Sequence, residues 1–69
     1  MQVVVHPKTD TIRRILDNHG DVYELLKEIK SNDGHAVLLK AIKASECCGG
    51  RKYHFQGWFK KSEAEWSPK

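Results

Sequence analysis

The run Arg51-Lys52-Tyr53-His54-Phe55-Gln56-Gly57-Trp58-Phe59-Lys60-Lys61 interleaves four aromatic side chains with four cations. Single-stranded nucleic acid is commonly held by this combination, in which aromatic faces stack on bases while flanking cations follow the phosphates. The same rings suit a protein partner, because Trp, Tyr and Phe anchor interfaces. Alternate side chains of a strand point to opposite faces, so the run divides into two sets. Tyr53 and Phe55 share one face, joined by Phe59 if Gln56-Gly57 resets the register. A small chain needs two or three of these rings for its core, which leaves one or two for a ligand. The candidate contacts drawn from the run are Arg51, Lys52, Tyr53, Trp58, Lys60 and Lys61.

Residues 21–46 add two more candidates. A helix over 21–30, the turn Ser31-Asn32-Asp33-Gly34 and a helix over 34–46 would make a helix–turn–helix, with the following hairpin as a wing. Lys40 and Lys43 would then lie on the recognition helix, and Arg51, Lys52, Lys60 and Lys61 on phosphates. Base reading uses Arg, Asn, Gln or Lys near the start of such a helix. Only His35 stands there, and Leu39 falls on the outer face. Three helices packed on a hairpin for stability alone are the competing account.

Other chemistries find less support. His6, His19, His35, His54 and Cys47-Cys48 are metal-ligand types, but adjacent cysteines lack the spacing of a zinc knuckle and there is no second pair. No metal or other cofactor is expected, and the two cysteines read as small residues packing at a turn. No Gly-flanked serine, phosphate loop or paired carboxylates point to catalysis, so the chain is not expected to be an enzyme.

Size and charge agree with a binding role. With 69 residues, of which 39 % are apolar or aromatic, the chain reads as one small domain over 1–69 with a thin core and no deep cleft. Its net charge of +3 is unevenly spread. Residues 1–34 carry five basic and six acidic side chains, whereas residues 35–69 carry seven basic and three acidic ones. Five of the six aromatics also lie beyond residue 50. Nothing resembles a signal peptide or a membrane span, so a cytoplasmic protein is expected, with no membrane partner.

The elements that must position these side chains begin with Met1–His6, a strand β-branched at its centre and stopped at Pro7. From Asp10, the residues Ile12, Ile15, Leu16 and His19 form one stripe of an amphipathic helix ended by Gly20. Asp21 and Glu24 have the spacing of a capping box, and Val22, Leu25, Leu26 and Ile29 follow at helical intervals. The stretch 34–46 reads either way. As a helix it gathers Val37, Leu38, Ala41, Ile42 and Ser45 on one face, whereas as a strand it makes Gly49-Gly50 the tip of one long hairpin. The helical pattern is the cleaner. Ser62–Lys69 is polar apart from Ala64 and Trp66 and is expected to fray.

The fold expected is therefore α+β: a short N-terminal strand, two to three helices and a C-terminal β-hairpin, with β-α-β-β as the alternative. The function expected is nucleic-acid binding or regulation through the basic, aromatic half. The alternative is a protein–protein interaction module, an adaptor or inhibitor, that uses the aromatic hairpin on an acidic partner.

Overall fold

Val3, Val4 and Val5 are stiff at χ1 and fit a pleated surface better than a helix. They form the centre of strand β1 (Gln2–Pro7), with Val3 and Val5 buried and Val4 on the other side. The computed structural model that shows this describes residues 1–47 and 49–69.

The first helix follows as its stripe predicts, as α1 (Asp10–His19). The Thr9 side chain accepts from the Ile12 N–H at 3.3 Å, and Gly20, at φ 84°, closes the other end by donating to the Leu16 carbonyl at 2.8 Å. Ile12 is buried, and Ile15 and Leu16 lie against the core.

Beyond Gly20 the helical expectation is overturned. Residues 22–31 form strand β2 (Val22–Ser31) and residues 34–41 form strand β3 (Gly34–Ala41), so the supposed helix–turn–helix is a β-hairpin. The Ser31–Gly34 turn stands, but it joins strands. The molecule is mostly β, with a single helix among the described residues, not two or three. Strand pairing explains the outcome. Tyr23 opposes both Val3 and Ala41, and all three are buried. A helix over 21–30 would instead have turned Tyr23 away from its apolar stripe.

The ladder between β2 and β3 slips by one residue, since Leu25 opposes Leu39 but Lys27 opposes Leu38. Leu26 is the extra residue of this β-bulge and is exposed. The bulge produces the misleading pattern. Val22, Leu25, Leu26 and Ile29 have helical spacing in sequence, yet they fall on different sides of a bulged strand.

Strands β4 (Ser45–Glu46) and β5 (Lys52–Tyr53) pair as a small separate ribbon, and β6 (Gln56–Lys60) returns antiparallel to β3. The strand alternative for 34–46 is met only in part: Gly49-Gly50 lies at the tip of the β4–β5 ribbon, but residues 42–44 divide the stretch into β3 and β4, which pair in different sheets, so there is no one long hairpin. Gly49 and Gly50 both have positive φ, and the Cys47 N–H donates to the Arg51 carbonyl at 2.7 Å. The expected hairpin within 51–61 is not formed, because β5 and β6 pair with different partners and Gln56-Gly57 runs straight within β6. Cys47 is exposed, not packed, and the expectation for Cys48 lies outside the described residues.

The tail is also ordered. Ala64–Pro68 forms β7 along β1, with Val5 opposite Trp66 and Ala64 wholly buried. The resulting five-stranded sheet has the order β6-β3-β2-β1-β7. Its two edge strands are consecutive in the chain and joined by only Lys61-Ser62-Glu63, so the sheet must curl round. One apolar core fills the hollow side: Val3, Val5, Ile12, Tyr23, Val37, Leu39, Ala41, Phe59 and Ala64. Each larger side chain among them contributes roughly 1.5–3 kcal/mol by its burial.

Candidate nucleic-acid interface

Burial of Val37, Leu39 and Ala41 on β3 turns Ala36, Leu38 and Lys40 to the outer face of the sheet. On β6, burial of Phe59 likewise turns Gln56, Trp58 and Lys60 outward. The bulge at Leu26 keeps Lys27 and Ile29 on this outer side, opposite Leu38 and Ala36. Three cross-strand rows result: Glu24–Lys40–Gln56, Lys27–Leu38–Trp58 and Ile29–Ala36–Lys60. Each row spans about 10 Å over three strands.

Trp58 is the large ring of this face and is 48 % exposed. Lys60 follows two residues along its own strand, Lys27 shares its row, and Lys40 lies diagonally on the neighbouring strand. Glu24 is the one carboxylate on the outer side of these three strands. A flat aromatic surface flanked by three lysines, with the Glu24 carboxylate paired to the Met1 ammonium at 3.0 Å, can hold a planar, anionic ligand.

Two hollows continue the face. At one end Glu24, Lys40, Ala41, Ile42 and His54 enclose about 270 Å³, with His54 Nδ1 donating to the Ala41 carbonyl at 2.9 Å. At the other end Ile29, Asp33, His35, Ala36, Lys60 and Lys61 border about 330 Å³.

The candidate residues read from the sequence separate into three places. Lys40, Trp58 and Lys60 come together on the outer face, on strands and not on a recognition helix. Leu39, expected on an outer surface, is wholly buried.

Lys43 and Tyr53 line a cleft of about 390 Å³ at the end of α1, together with Asn18, His19, Ser45 and Glu46. Arg51 and Lys52 are exposed close by, on the ribbon of β4 and β5. In the cleft the His19 ring stacks on Phe55 at 4.5 Å, meets the edge of Tyr53 at 6.0 Å, and has Nδ1 2.7 Å from Ser45 Oγ. These contacts fasten the ribbon to the helix.

Lys61 faces the inner side, with Nζ 5.1 Å from the centre of the Trp66 ring. His35 meets that ring edge-on at 5.1 Å and donates from Nε2 to Glu28 at 2.6 Å. Lys61 therefore helps to join β7 to the β3 end of the sheet and does not stand beside Trp58.

Sequence reasoning missed Lys27, Leu38 and Ile29. The signal available was the strand reading of 34–46, which puts Leu38 and Lys40 in one row. Lys27 needs the bulge as well.

Among the described residues, no three His, Cys, Asp or Glu side chains gather as metal ligands would, and no helix is long and apolar enough to cross a membrane. In comparisons with known proteins, no family model, no curated protein and no solved structure matches this chain.

Proposed function

We propose that this is a cytoplasmic nucleic-acid-binding protein, not an enzyme, and that it binds through the outer face of β2, β3 and β6. The observation that carries the reading is the half-exposed Trp58 among Lys27, Lys40 and Lys60. A ring of this size left in water is unfavourable for a thin-cored protein, and a base covering it removes apolar area from solvent. Three lysines on the same side supply attraction for phosphate and little sequence information.

The second reading is a surface for an acidic protein. It is favoured by Ile29, which is 52 % exposed beside the same lysines, and by the exposed Leu26 at the bulge.

Titration of fluorescently labelled DNA and RNA oligonucleotides at 50 and 200 mM salt separates the two. Three phosphate contacts give a log–log salt slope of roughly −2 on a single strand, so affinity falls more than tenfold over that range. Replacing both Lys27 and Lys60 by Ala removes more than half of this slope. Absence of binding at 50 mM salt to every oligonucleotide would overturn the proposal and favour the protein partner.

A further inference from the structure

We infer that the ligand is a single strand, held over about three nucleotides with one unpaired base flat on Trp58. This rests on the preceding reading that the outer face of β2, β3 and β6 binds nucleic acid.

The first argument is the position of the ring. Trp58 is the central residue of β6, on a sheet face, with Gln56 and Lys60 about 7 Å away on either side along the strand. It lies on a sheet face, where a base can lie flat against the ring. A base inside a duplex already has both faces covered by its neighbours and would have to be pulled from the stack to meet the indole. An unpaired base has a free face to offer.

The second argument is the placement of charge. Lys60 lies beyond Trp58 in one direction along the strands and Lys40 lies before it in the other, so a backbone crossing the ring meets a cation on each side. Lys27, two strands across from Trp58, closes the row.

The third argument is the pair of hollows. The one bordered by Lys40, Ile42 and His54 also contains Glu24, whose Oε1 accepts from the Met1 ammonium at 3.0 Å and whose Oε2 is left as an acceptor. A base edge, which carries N–H donors, is accepted there while the backbone passes over Lys40. The hollow at Ile29, Ala36 and Lys60 receives the base on the far side of Trp58. One central base and one neighbour at each end make three.

Anisotropy titrations at 50 mM salt with oligo(dT) and oligo(rU) of one to eight nucleotides, and with blunt duplexes of mixed sequence, test this. Affinity is expected to rise steeply up to three nucleotides and thereafter only in proportion to the number of overlapping positions. Duplexes are expected to bind at least tenfold more weakly.

Trp58→Ala should weaken single-strand binding by about 5- to 150-fold. An abasic site at the middle of a trinucleotide should weaken it similarly, and the two losses should not add. The abasic arm uses the unaltered protein and so stands even if the variant folds poorly.

Equal affinity for duplex and single strand, or additive losses, would overturn the single-strand inference and leave the nucleic-acid reading intact. No binding to any of these probes would overturn both.

Discussion

The hydroxyl of Tyr23 lies inside the core, on a wholly buried side chain, with no hydrogen-bond partner among the described residues. Burial, reinforced by the nearby Asp21 carboxylate, pushes its pKa up to about 12 from an ordinary 10.0. Two consequences follow. Below pH 10 the hydroxyl is neutral but desolvated without compensation, so Tyr23→Phe should raise stability by about 1 kcal/mol in urea unfolding. Above pH 10 the unfolded chain loses this proton first and the native state retains it. Native stability therefore falls as pH climbs from 10 towards 12, by about 1.4 kcal/mol for each pH unit. Tyr23→Phe should flatten that alkaline limb, and a limb of unchanged slope would count against the buried hydroxyl as its cause. At this scale the sequence was partly legible. Residue type and neighbours single out Trp58, Lys60 and Lys40, and the strand pairing brings these three onto one outer face. Strand alternation separates Lys61 from Lys60, and Lys61 turns inward to the Trp66 ring.

Strand β2 shows why element type was harder to read than residue type. Its apolar spacing imitates a helix because a bulge breaks the alternation that identifies a strand, and Asp21 with Glu24 imitates a cap. β1 and α1 were legible, since each satisfies its own local rules: stiff valines for the strand, the Ile12-to-His19 stripe and the Gly20 stop for the helix. β7 was not, because its sequence is polar and its order comes from pairing with β1 at the other end of the chain. Pairing across such a distance leaves no local pattern. A loose tail and a paired strand respond differently to a charge at Ala64, which is wholly buried. Ala64→Asp should cost several kcal/mol, comparable to the whole stability of a domain this small, and abolish the cooperative thermal transition seen by circular dichroism. A fraying segment would tolerate the same change with no shift in the melt.

For the whole molecule, the pairing of Val3 with Pro68 means that folding must close a loop spanning nearly the full chain. With β2, β3 and β6 also meeting across turns and the ribbon, refolding is expected to take milliseconds to seconds, and the buried edge of Trp66 provides a stopped-flow fluorescence signal. Complete refolding within microseconds would contradict the long-range ladder. The same closure bears on how copies of the protein meet one another. Each edge of the sheet is a five-residue strand, and Lys61-Ser62-Glu63 ties the two together, with Trp66, Lys61 and His35 packed at the junction. An open sheet offers a passing chain a long row of free backbone groups to extend. Here the rims are brief, Pro68 lies on one and Lys60 on the other, so the molecule can expose an indole to water without offering a template for fibre growth.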